Sequence, residues 1–231
     1  SYHLRDPADI KREREAALAK AEAQKKQREE EAATPNPELV DQILAELRKA
    51  EGGSRAQSHL ARLGTIAIVP DKRDQVLKVV GNHRSNSSGF VSAAAAEALC
   101  HWATDDSIDD FWEIVNNDNH IFNGARKTAI SRLIALNAEG LYPKLIQRMH
   151  NISLRRDIKQ NLFEAGEPAE QPILDAFDSL SDGFVKRDLL EVLQKVGTKK
   201  SIDLLEKVAT GKDFSMKHPA QRALDAVRAR L

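Results

Sequence analysis

Between residues 126 and 218, basic side chains return in register. Arg126, Arg155, Lys186 and Lys217 stand 29, 31 and 31 residues apart, and each is followed by a second basic group, Lys127, Arg156, Arg187 and His218. Such a row can hold an acidic segment or phosphate groups, because a guanidinium grips an oxyanion in a two-pronged way and a lysine supplies a point charge. The chain can also neutralise the row itself. Asp157 and Asp188 directly follow two of the pairs, and Asp182 and Asp213 stand four residues before Lys186 and Lys217. Two readings are open on the sequence: an anion-binding stripe, or a ladder of ion pairs running from one segment to the next. Exposed ion pairs contribute only about 0–1 kcal/mol each, so a ladder would organise more than stabilise.

Other chemistry is poorly supplied. His3, His59, His83, His101, His120, His150 and His218 form no i,i+4 pair and no HExxH motif. Cys100 and His101 are neighbours, but adjacent helical positions point about 100° apart, so they make no thiol–imidazole dyad by themselves. Asp105, Asp106, Asp109 and Asp110 flank a helix start, where carboxylates suit the positive end of the dipole, and they lack the spacing of a calcium loop. Gly52-Gly53 reads as a break between helices and not as a phosphate-cradling loop. The expectation is no catalytic residue, no metal and no cofactor. Lys plus Arg equal Asp plus Glu at 35 each, and this electroneutrality argues against a dedicated nucleic-acid binder. No apolar run reaches about 18 residues, so no transmembrane segment is expected. The chain opens with Ser1 and no signal-like stretch, and reads as a piece of a longer protein with any targeting signal upstream. The compartment stays unread, with the cytoplasm as the default expectation.

The elements that must position the stripe are short helices. From Glu38 onward, twelve amphipathic segments of about three turns alternate with tight breaks, and no strand is expected. The longest break is expected over residues 81–89, after the helix that carries Val76, Leu77, Val79 and Val80. The segments resolve into pairs when the second of each is aligned on one leucine: Leu60, Leu99, Leu133, Leu162, Leu193, Leu224. Three residues on, Leu63, Trp102, Leu136, Ala165, Val196 and Val227 are all apolar, and one further on stand Gly64, Ala103, Asn137, Gly166, Gly197 and Arg228. The stretch 183–210 also repeats 89–115 at an offset of 94 residues, with Ser201-Ile202-Asp203 falling on Ser107-Ile108-Asp109. One pair of short helices cannot bury its own apolar stripe, so successive pairs must stack. A second candidate face lies one residue past the leucine column, at Cys100, Ile134, Phe163, Gln194 and Asp225. There Ile134 and Phe163 offer an apolar spot for a partner helix or pack against the next pair. Trp102 and Trp112 occupy apolar columns and read as core. Upstream, residues 1–37 form a charged Ala/Glu/Lys/Arg-rich spacer, helical or disordered, with only Ile10 and Leu18 as large apolar groups between Asp9 and Glu31, and it stops at Thr34-Pro35-Asn36-Pro37.

The pattern is a short first helix, a small polar turn, an apolar residue followed by Lys or Arg, then a leucine-rich second helix ending near Gly. It is clearest from Phe184-Val185-Lys186-Arg187 through Leu193–Gly197, and there it resembles HEAT and HEAT-like repeats. The resemblance covers residues 38–231 as units 38–68, 69–104, 105–137, 138–166, 167–197 and 198–231. Asn137 and Arg228 replace the turn glycine, and only Pro143 or Pro172 could be the first-helix proline. The resemblance implies an all-α, right-handed α-solenoid of about six antiparallel helix pairs whose second helices line the binding face. It also implies a non-catalytic scaffold that takes a protein or peptide partner, possibly an acidic segment, on that face. Enzymes of similar fold are the alternative, either a lyase accessory or a metal-dependent hydroxylase; the iron enzymes among them carry His-Glu dipeptides, and this chain has none. HEAT-like nucleic-acid binders are a third class, which the zero net charge disfavours.

Overall fold

A computed structural model describes residues 6–50 and 52–231; His3 and the first five residues of the 1–37 spacer lie outside them. Among the described residues the chain is all-helical, without strands, and holds thirteen α-helices. It divides into two compact units, Ser1–Ser107 and Ile108–Leu231. The first holds α1 (Pro7–Ala33), α2 (Pro37–Lys49), α3 (Gly53–Leu63), α4 (Arg73–Arg84) and α5 (Gly89–Trp102). The second holds α6 (Ile108–Val115), α7 (Asn123–Ala135), α8 (Leu141–Arg148), α9 (Ile152–Ala165), α10 (Glu170–Phe177), α11 (Gly183–Val196), α12 (Ile202–Thr210) and α13 (Phe214–Arg228).

Sequence neighbours pair as α2 with α3, α4 with α5, α6 with α7, α8 with α9, α10 with α11 and α12 with α13. Within the second unit α7, α9, α11 and α13 lie side by side, each against the next. Their partners form the other layer, in which α10 packs on α8 and on the short 3₁₀ turn that opens α12. In the first unit α2 packs on α4 and α3 on α5. The leucine column forms the dry seam: Leu60, Leu99, Leu133, Leu162, Leu193 and Leu224 are all buried. The next column is mixed, with Leu63, Trp102 and Val227 buried but Leu136, Ala165 and Val196 only half-buried. Trp102 is core, and its indole N–H donates to the Leu63 carbonyl at 2.7 Å, which satisfies the one polar atom of a buried ring.

Local sequence sets the helix starts. Asn36, Asn151, Asp182 and Asp213 each accept a hydrogen bond from a backbone N–H of the first turn of α2, α9, α11 and α13. Pro143 and Pro172 both stand third in their helices, where a missing N–H costs nothing. The expected break at 81–89 is shorter than its glycines suggest. Helix α4 runs through Gly81 to Arg84, because its buried stripe of Val76, Val79 and Val80 continues to His83. That burial outweighs the ~1 kcal/mol propensity cost of a helical glycine.

The small-residue column after the seam does two different jobs. Asn137 and Gly166 adopt positive φ, +47° and +69°, where a left-handed residue ends the helix. Gly197 has an ordinary φ of −61°. It is required for space instead, since a Cβ there would lie 2.5 Å from the Leu193 carbonyl oxygen and 3.0 Å from Val227.

Helix α1 buries no residue along its length. Its last turn is nevertheless attached to the first unit. Arg62 of α3 donates to Glu31 (Nε–Oε2 3.1 Å), and the Ala67 amide donates to the Glu31 carbonyl at 2.8 Å. The Arg62 hydrogen bond holds the Glu31 carboxyl below its ordinary pKa. Leu193→Ala should lower stability by about 2–5 kcal/mol, read by chemical denaturation, because it opens a cavity in a sealed seam. Gly197→Ala should also destabilise, although no buried apolar surface is lost.

Candidate functional site

The two basic columns have different fates, and both fates follow from helical geometry. Residues of the first column come directly after the first buried position of each second helix, namely Ala125, Leu154, Val185 and Met216. They therefore sit at the edge of the seam. Arg126 is wholly buried. Its guanidinium donates to the Asn117 carbonyl, to Asn123 Oδ1 and, at 3.2 Å, to Ser153 Oγ at the start of α9. Burial lowers its pKa, and the nearby Asp118 opposes that shift. Arg155 donates to the Met149 carbonyl at 2.9 Å and pairs with Asp182, the N-cap of the next second helix, at 3.1 Å. Lys186 lies 5.3 Å from the Phe177 ring centroid, and Lys217 lies 4.5 Å from that of Phe214. The Asp213 carboxyl is held low, first by hydrogen bonds from Ser215 and then in part by the charge of Lys186. Arg126 and Arg155 thus tie one second helix to the N-terminal turn of the next, whereas Lys186 and Lys217 rest on aromatic rings of α10 and of their own helix α13.

The second column points outward. Lys127, Arg156, Arg187 and His218 are exposed. Lys127 is tied to Asp157 at 3.1 Å, and Arg187 rests 6.0 Å from the Phe184 ring centroid. Arg156 and His218 make no ion pair among the described residues. Each member of this column stands seven residues, two helical turns, before a member of the second candidate face: Arg156 before Phe163, Arg187 before Gln194, His218 before Asp225. The two sets are opposite ends of one helix face. At its C-terminal end lies a 400 Å³ cleft lined by Phe163, Glu191, Gln194, Lys195 and Arg222, with the Lys195 ammonium 4.3 Å from the Phe163 ring centroid. Phe163, Gln194 and Ile134 are half-buried, whereas Cys100 at the matching position of α5 is fully buried. The cleft offers an apolar floor with two cations on its rim, against one carboxylate.

Several ties were not legible in the repeat register. Glu170, in the run Glu167-Pro168-Ala169-Glu170, reads as surface but is buried. Its carboxylate accepts from the Thr198 amide (2.7 Å), from Thr198 Oγ1 (2.9 Å) and from Ser201 Oγ. That arrangement pins the turn before α12 onto α10. Lys159 reaches Asp188 at 2.9 Å and also Glu191; burial works against its charge, but the two carboxylates more than compensate and its pKa rises. Arg148 with Asp118, and Lys207 with Asp178 at 2.7 Å, tie the first-helix layer in the same way. Their separations of 30 and 29 residues, like the 31 between Lys72 and Asp41, match the interval between helix pairs. A search for ion-pair partners one repeat length apart would have found them. Among the described residues, no three His, Cys, Asp or Glu side chains converge as metal ligands, and no helix is long and apolar enough to cross a membrane.

Arg126→Ala should cost on the order of 2–3 kcal/mol in denaturation, because it empties a buried site and removes the hydrogen bonds to Asn117, Asn123 and Ser153, whereas Arg187→Ala should be near neutral. The acid limb of stability has a definite sign. Asp118 is held low by its hydrogen bond from Arg148, and Asp178 by its hydrogen bond from Lys207. A depressed carboxyl contributes stability above its ordinary pKa and loses it as pH falls through the folded value. Thermal stability should therefore decline below about pH 4, and R148M with K207M should flatten that decline. No protein-family model, no curated protein and no solved structure matches the chain.

Proposed function

We propose that the chain is a non-catalytic interaction scaffold of HEAT-like type, a right-handed solenoid of six helix pairs that takes an acidic protein or peptide segment on its second-helix face. The observation that carries this reading is the division of the basic columns. Arg126 and Arg155 of the first column are taken up in holding neighbouring second helices together, and the second column stands exposed on a face that ends in the Phe163 cleft. An amphipathic acidic segment fits such a face. Its carboxylates meet Arg156, Arg187, Lys195 and Arg222, and one apolar side chain reaches Phe163. The recurrence of cross-helix ties at about thirty residues supports the repeat reading, since each pair then meets its neighbour through equivalent positions.

Charge reversal should be aimed at the exposed cations, because reversing a partnered residue such as Arg155 would disturb the fold through Asp182. R156E with R187E and K195E should weaken capture of an acidic peptide library at least tenfold, read by fluorescence polarisation, and leave the helical CD signal unchanged. Unchanged capture would remove this face from consideration.

A further inference from the structure

The described chain exposes few large apolar side chains, and their placement is selective. Ile10 and Leu18 lie on α1, and Leu231 is the last residue. The remaining four, Phe90, Ile152, Phe184 and Phe214, all stand in the first turn of a second helix, in α5, α9, α11 and α13. In the second unit, Ile152, Phe184 and Phe214 are 81%, 67% and 84% exposed. They begin three helices that pack side by side, so they form a row along one edge. At the 8–10 Å usual between packed helices, the row is roughly 20 Å long. The helix caps do not use them, since Asn151, Asp182 and Asp213 cap through their side-chain oxygens.

Cations surround the row. Arg155 and Arg187 lie 5.9 and 6.0 Å from the Phe184 ring centroid, and Lys217 lies 4.5 Å from that of Phe214. Over the three segments 150–156, 181–187 and 212–218, six Lys and Arg residues meet only two carboxylates, in a chain whose total charge is zero. Asp213 accepts from the backbone of its own helix, and Asp182 does the same with one oxygen while the other pairs with Arg155, which leaves the row with a net excess of cations.

We infer that this edge docks on an anionic lipid surface, with Ile152, Phe184 and Phe214 entering the boundary between headgroups and acyl chains. Shape favours lipid over protein. The three side chains are knobs, 67–84% exposed. A folded partner would have to bring three holes in register, whereas a fluid interface closes around a protruding ring of any shape. Charge favours it too, because the cations sit at the base of the apolar tips, at the depth where phosphate and carboxylate headgroups lie. The inference does not rest on the scaffold reading: both draw on Arg156 and Arg187, but only the lipid reading uses the three apolar tips.

The test is sedimentation of the whole chain with phosphatidylcholine vesicles, with and without 30% phosphatidylserine, at 0.1 and 0.5 M NaCl. Sedimentation should require phosphatidylserine and fall at high salt. The triple variant I152S/F184S/F214S should bind at least tenfold more weakly with an unchanged thermal melt, and should still capture acidic peptide. A dye on F214C, a position far more accessible than the buried Cys100, should shift to the blue on anionic vesicles, which keeps the test decisive if the triple variant fails to fold. No sedimentation with anionic vesicles, wild-type binding by the triple variant, or an unshifted dye would overturn the inference. So would loss of peptide or single-stranded oligonucleotide capture in the triple variant without any vesicle binding by the wild type.

Discussion

The structure depends on a packing constraint that no single helix pair can meet. Helices of eight to fifteen residues offer one apolar stripe each, and a pair of them leaves much of that stripe wet. Leucines at one recurring position therefore turn toward the adjoining pair as well as toward their own partner, and within each compact unit the seam is closed by neighbours. Burial of that column, at roughly 25 cal/mol per Å² of apolar surface, is the term that the polar contacts only refine.

Those polar contacts specify register. Leucine seams are tolerant of sliding, because apolar contact is not directional. The ties from Arg155 to Asp182, from Lys159 to Asp188 and from the hydroxyls of Thr198 and Ser201 to Glu170 are directional. A slip by one position along any of them would strand a desolvated charge, and that penalty is larger than the modest net gain of the contact itself. Glu170 is the sharpest case, since three donors satisfy a buried carboxylate that has no cation as partner among the described residues.

This division of labour leaves one side of the second helices with few structural ties, Lys127 to Asp157 and Lys159 to Glu191 among them. Seam residues lie at one helical angle, ladder cations beside them, and the exposed column and the Phe163 cleft beyond. A repeat built this way can vary its outward residues without touching its own stability, which is what allows one architecture to serve many surfaces. The apolar tips at the N-terminal edge belong to that same free set.

The sequence by itself determined the helical class, the pairing of helices and the buried column, because apolar periodicity and the thirty-residue interval are one-dimensional signals that survive in the order of residues. It also located both basic columns, though it left open which of them is consumed inside the fold. That choice belongs to three dimensions. Whether Arg126 is buried or free depends on the Asn117 carbonyl, Asn123 and Ser153 closing round it, and Ser153 lies 27 residues away on another helix. In the same way Gly197 and Gly166 look alike in sequence, yet one is needed for lack of space and the other for its positive φ. Only tertiary structure could decide these points, since a side chain's environment is set by which distant groups the packing brings within a few ångströms of it.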